Sequence, residues 1–146
     1  MTTDHQKGAI AETAIAAAAV RLGIGVSRPI GGVERYDLIF DLHPRLVRVQ
    51  CKWGVRDGEV IIVRCLSSRR SGVGHVRRAY TAQECDALAA YCAELGSCYF
   101  LPIGAFSGRT AIQLRLAPAR NNQALRVNWA ADFAFEALDW SEFRGP

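Results

Sequence analysis

A chain of 146 residues that is 50% hydrophobic and 22% charged has the size of one compact domain, 1–146, with a single core. It is neither a disordered tail nor a fibrous repeat. The formal charge of +4 and the pI of about 9.0 suit a polyanionic partner without demanding one. Five cysteines with no CxxC pair fit neither a zinc site nor a disulfide framework, and "AIAAAAV" is too short to cross a bilayer. The expectation is a soluble intracellular protein with reduced thiols and no membrane partner.

Taken in order, residues 5–22, "HQKGAIAETAIAAAAVRL", read as a helix from their alanine content. Ile10, Ala14, Ala17/Ala18 and Arg21 mark its packing side, and Gly23 ends it. A short strand is expected over 24–30, a turn at Gly31–Gly32, and a strand over 36–42, "YDLIFDL". "HPR" at 43–45 turns the chain into a strand over 46–53. "DG" at 57–58 is a hairpin signal leading to a strand over 59–66. Residues 67–79 read as a loop. Thr81 and Glu84 have capping-box spacing and predict a second helix over 82–95, ended by Gly96. Strands follow over 98–103 and 111–116, then a short C-terminal helix with aromatic contacts from Trp129, Phe133 and Trp140. The sum is an α/β domain with a mixed sheet flanked by helices.

In the strand "VRVQCKW", alternation puts Arg48, Gln50 and Lys52 on one side and Val47, Val49 and Cys51 on the other. Asp37, Ile39 and Asp41 share a face of the preceding strand. If that face lies level with Gln50 and Lys52, a carboxylate, an amide oxygen and an ammonium converge at one end of the sheet. Hard divalent cations prefer such oxygen donors, and a lysine beside them offsets charge building on a phosphate. Glu12, on the first helix, would add a further carboxylate. Asp41, beside the turn, reads as a solvated acid.

This order of residues resembles the PD-(D/E)xK nuclease superfamily, with its restriction-endonuclease-like fold. More narrowly, it is similar to the branch of group I intron homing endonucleases in which Gln replaces the middle acid. "KGAIAE" (7–12), "ERYDLIF" (34–40) and "VQCK" (49–52) carry the match, with a weaker block over 78–103. The resemblance implies that Asp37, Gln50 and the backbone carbonyl of Cys51 ligate Mg²⁺, with Mn²⁺ able to substitute. Glu12 would assist through a metal-bound water, and Lys52 would serve the attacking water. The implied substrate is double-stranded DNA, cut at phosphodiester bonds inside the cell, at the nucleoid. Two departures stand out: Tyr36 precedes Asp37 where the superfamily has proline, and Gln50 lowers the charge at the metal. Three other readings stay open: a Holliday-junction resolvase, a catalytically silent DNA-binding module of the same fold, and a protein–protein scaffold.

Nearly all the positive charge is arginine, since Lys7 and Lys52 are the only lysines. Codon usage and phosphate recognition both account for that bias. Arg69, Arg70, Arg77 and Arg78 in "RRSGVGHVRR" would contact phosphates, as would Lys7 near the start of the first helix. Arg109, Arg115 and Arg126 are candidates for base contacts, with nothing to choose between them. One domain of this size covers only part of a long target, so a homodimer or homotetramer is expected.

Overall fold

The structure is a computed structural model that describes residues 1–71, 74–118 and 127–145, with the backbone alone described over 67–71 and 74–78. Helix α1 spans Asp4–Arg21, and Thr3 and Gln6 close a capping box at its start. Gln6 donates its backbone N–H to Thr3 Oγ1 at 3.1 Å, and Thr3 donates its own to Gln6 Oε1 at 2.9 Å. Gly23 follows the helix in left-handed conformation, at φ +81°. The buried row is Ala11, Ile15 and Ala19, one position on from the expected row, and Ile10 is exposed. Small residues at 11 and 19 let the helix lie close to the sheet, with Ile15 as the one bulky plug.

The strands are β1 Gly25–Ser27, β2 Leu38–Asp41, β3 Leu46–Asp57, β4 Val60–Arg64, β5 Leu66–Ser71, β6 Gly74–Ala79, β7 Ala87–Cys92, β8 Ser97–Pro102 and β9 Ala111–Arg115. β3 is the axis of the molecule. Its first part pairs antiparallel with β2, its last part antiparallel with β4, and Val49 to Gly54 run parallel with β7. β1 extends β2, β9 extends β4, and β8 extends β7. β5 and β6 form a separate two-stranded hairpin. Short helices α2, Ile103–Phe106, and α3, Ala130–Phe133, and a 3-10 turn at Trp140–Phe143 complete the order.

Two apolar clusters cover the two faces of the sheet. One holds Ala11, Ile15, Phe40, Val47, Val49, Ala89, Phe100 and Phe135 under α1. The other holds Ile61, Val63, Tyr80, Leu88, Leu101, Phe106, Ile112 and Leu114. β7 sends Ala87 and Ala89 to the first and Leu88 and Ala90 to the second. The C-terminal aromatics join the first cluster: Phe100 lies 4.8 Å from Trp140 and 5.0 Å from Phe143 between ring centroids.

The expected helix over 82–95 is a strand preceded by one turn. Thr81 does organise that turn, accepting backbone N–H groups from Glu84 at 3.0 Å and Cys85 at 3.1 Å. The helix stops there because "ALAAYC" is buried on both faces, the environment of a central parallel strand. The segment 67–79 is a hairpin and not a loop, with Leu66 facing Ala79 and Ser71 facing Gly74. Among the described residues, no helix is long and apolar enough to cross a membrane.

Candidate active site

β2 leaves β3 at a bulge. Leu38 is the partner of Val49, yet Asp37 also donates its N–H to the Val49 carbonyl at 2.9 Å. Two consecutive residues thus face one, the arrangement of a β-bulge, which re-aims the side chain involved. The Asp37 carboxylate turns along the strand edge, and its Oδ2 accepts the Cys51 backbone N–H at 2.9 Å. Among the described residues Oδ1 accepts no hydrogen bond. Strict alternation had put Asp37 on the face of Gln50 and Lys52; the bulge places its carboxylate at the edge, against the Cys51 peptide.

Gln50 and Lys52 lie on the face of β3 away from α1, opposite Val49 and Cys51, which pack in the cluster under the helix. The Lys52 ammonium donates to the Leu66 carbonyl at 2.8 Å and stands 5.2 Å from the centre of the Tyr80 ring. It is half-buried; burial lowers its pKa, and the negative charge of Asp37 raises it again. Gln50 is also half-buried, and its amide makes no hydrogen bond to a described residue.

Glu12 reaches the same end of the sheet from α1. Its Oε1 accepts from Arg28 Nη2 at 2.9 Å, and its carboxyl is held above the ordinary value by burial and by Asp37, against the pull of Arg28. Burial likewise pushes Asp37 up, opposed by the Cys51 N–H, Lys52 and Arg28. The Cys51 thiol is pushed strongly up, first by burial and then by Asp37 and Glu12, so it is no nucleophile. Two carboxyls held above their ordinary values, one with a spare oxygen, are hard-oxygen donors at this end of the sheet. Among the described residues no cluster of three or more His, Cys, Asp or Glu side chains could hold a metal. Any cation here would therefore rest on two carboxylates completed by amide and backbone oxygens.

Of the expected site residues, Asp37 lies within electrostatic reach of Glu12 on one side and of Lys52 on the other. Gln50 flanks Cys51, whose peptide touches Asp37. Lys7 stands apart, 5.8 Å above the Trp53 ring. Arg48 shares the strand face but is structural: it binds Asp86 and the carbonyls of Ala82 and Gln83. Arg69, Arg70, Arg77 and Arg78 sit on the backbone of the β5–β6 hairpin; their side chains, and all of Arg126, lie outside the described residues. Arg115 turns back onto the Ala117 carbonyl at 3.1 Å, and Asp41 accepts the His43 N–H at 3.0 Å beside the turn. Arg28, Arg35 and Tyr80 were not anticipated. Arg35 and Tyr80 fall within the matched stretches 34–40 and 78–103, but that match gave them no role, and the contacts of all three are made across the fold.

A family described as PD-(D/E)XK endonuclease matches residues 2–136. No curated protein matches the chain. Among solved structures, a bacterial homing endonuclease, I-Ssp6803I, is similar over 97% of this chain and 93% of its own, with a TM-score of 0.74 and 27% sequence identity.

Proposed function

The chain belongs to the PD-(D/E)XK endonuclease family, a nuclease of that type with a homing endonuclease as structural neighbour, and from that premise we propose that it hydrolyses phosphodiester bonds of double-stranded DNA with a divalent metal, Mg²⁺ or Mn²⁺. What supports the reading is the position of Asp37, which accepts the Cys51 N–H where β2 parts from β3 and feels the charges of both Glu12 and Lys52.

Asp37, Gln50 and the carbonyl of Cys51 would hold the ion, with Glu12 assisting. Bound there, it supplies Lewis-acid stabilisation of the charge that develops on the phosphate. The chain's own residues do the rest. Asp37 is aimed by the bulge and by the Cys51 N–H, so its carboxylate needs no reorganisation at the moment of reaction. The Lys52 ammonium lies close to it, where it orients the attacking water and offsets phosphate charge. Gln50 contributes an oxygen without a further negative charge, which eases approach of a polyanion. Arg28 pairs with Glu12 and partly offsets the charge of Asp37 in the free protein, and it would be free to bind phosphate once a cation takes over that duty.

Lys7 and the hairpin arginines Arg69, Arg70, Arg77 and Arg78 would give sequence-independent affinity. Cutting both strands calls for two such sites, which favours a symmetric homodimer or homotetramer. The test is incubation of the protein with a randomised duplex library in Mg²⁺ or EDTA, followed by mapping of the ends. Defined cuts in Mg²⁺, lost in EDTA and in Lys52→Met, are the expected result. Cleavage unaffected by Lys52→Met, or none in any sequence, would overturn the reading.

A further inference from the structure

The root of the β5–β6 hairpin is gripped from both strands. Leu66 and Ala79 form its first pair. Lys52 Nζ donates to the Leu66 carbonyl at 2.8 Å, and Arg35 Nη1 donates to the Ala79 carbonyl at 3.2 Å. The next residue, Tyr80, is 2% exposed, and both cations stand over its ring, Arg35 at 4.4 Å and Lys52 at 5.2 Å from the centre. Arg35 is itself tied to Glu84, which accepts the Thr81 hydroxyl at 3.0 Å. The ring is thus fixed by burial and by a neighbouring ion pair.

A lysine side chain has four rotatable bonds and three donors, and without partners its ammonium sweeps a wide volume. At this site the Leu66 carbonyl takes one donor, and the π-face of Tyr80 offers a broad attractive surface to the charge. The backbone of Lys52 alone cannot hold the ammonium beside Asp37, because β3 fixes only Cα and Cβ. We propose that Tyr80 is a positioning residue for Lys52, acting with the Leu66 carbonyl to hold the ammonium at the Asp37 end of the sheet. The catalytic consequence rests on the nuclease reading.

The experiment compares the full-length wild type, Tyr80→Phe and Tyr80→Leu. Because Lys7 and Lys52 are the only lysines, the Cε–Hε signals of Lys52 are resolved by NMR and assigned with Lys7→Arg. A ring stacked on the ammonium shifts those protons upfield. The expected result is an upfield shift in wild type and Tyr80→Phe that is lost in Tyr80→Leu. On a duplex recovered from the library, Tyr80→Leu should lower kcat by roughly 10–100-fold with KM nearly unchanged, the scale of a misplacement of about 1 Å. Tyr80→Phe should restore kcat, since the ring and not the hydroxyl faces the cation. An unshifted Lys52 in wild type overturns the proposal, and that holds even if Tyr80→Leu fails to fold. So does wild-type kcat in a folded Tyr80→Leu, or a Tyr80→Phe as slow as Tyr80→Leu. A wild type that shows the shift but cuts no duplex overturns the nuclease reading while supporting the placement of Lys52.

Discussion

Arg48→Met isolates the contact that sets the start of β7 against β3. The Arg48 guanidinium is bound to the Asp86 carboxylate through Nε at 3.1 Å and Nη2 at 3.0 Å, to the Gln83 carbonyl at 2.7 Å and to the Ala82 carbonyl at 2.9 Å. Met keeps most of the stem's packing and removes every side-chain donor, leaving the backbone N–H of residue 48 on Asp86 Oδ2 at 2.8 Å. Two charge-assisted bonds at about 1.5–3 kcal/mol each and two carbonyl bonds at about 1 kcal/mol each set an upper bound. The side chains are 31% and 18% exposed, and Arg45 Nη2 stays 3.8 Å from Asp86, so water and Arg45 replace part of the loss. The net cost is about 3 kcal/mol, or roughly 10 °C in Tm for a chain of this length.

The pH dependence separates the ionic part from the rest. Burial raises the Asp86 pKa, but its bonds to Arg48 outweigh that and hold the carboxyl below its ordinary value. A depressed carboxyl contributes stability that is present above its unfolded pKa of about 3.9 and is lost as pH falls through the folded value. The gap between wild type and Arg48→Met in urea unfolding should therefore be full at pH 7 and shrink below about pH 4. About a third should remain from the two carbonyl bonds. A gap below about 0.5 kcal/mol at pH 7, the range of an exposed ion pair, would refute the reasoning. An undiminished gap at pH 3 would refute it equally.

Asp37→Asn should raise Tm in EDTA at pH 7 while abolishing cleavage. Asn still accepts the Cys51 N–H, and burial holds the native carboxyl above its ordinary value. Its ionised form therefore weakens the fold once pH passes the folded pKa, and the advantage of Asn should vanish near pH 3.5; a lower Tm than wild type at pH 7 would contradict this. Ile15→Ala removes the one bulky side chain in the α1 row, fully buried, and should cost about 3 kcal/mol in a denaturant titration. Four of the five thiols are buried and Cys51 is half-buried with its pKa pushed up. A thiol reagent at pH 8 should thus label none of them rapidly in the native protein and all five after unfolding.

The parts legible in the sequence are those where local pattern and tertiary environment agree. α1 has alanine content, a cap and a terminal glycine. β2 and β4 alternate around two turns, as does the first part of β3, and so the sequence places Asp37 just before β2 and Gln50 and Lys52 within β3. The segment 87–92 was illegible because an alanine-rich run behind a capping box fits a helix locally, and only burial on both faces makes it a strand. The 67–79 hairpin carries no apolar alternation in the sequence, so no strand pattern marks it. The bulge at Asp37 cannot be read from composition, since it depends on which residue Val49 bonds. Arg28, Arg35 and Tyr80 act on groups far along the chain, namely Glu12, the Ala79 carbonyl and Lys52, so no spacing rule assigns them a role.

The account depends most on Asp37 holding one divalent cation, with Glu12 assisting, and that is measurable without DNA. Electron paramagnetic resonance of Mn²⁺ titrated into the protein counts bound ions directly. Wild type should bind one Mn²⁺ per chain, Glu12→Gln should bind it more weakly, and Asp37→Asn should leave the ion free. Equal binding by wild type and Asp37→Asn would contradict the account, as would no binding by wild type at millimolar Mn²⁺.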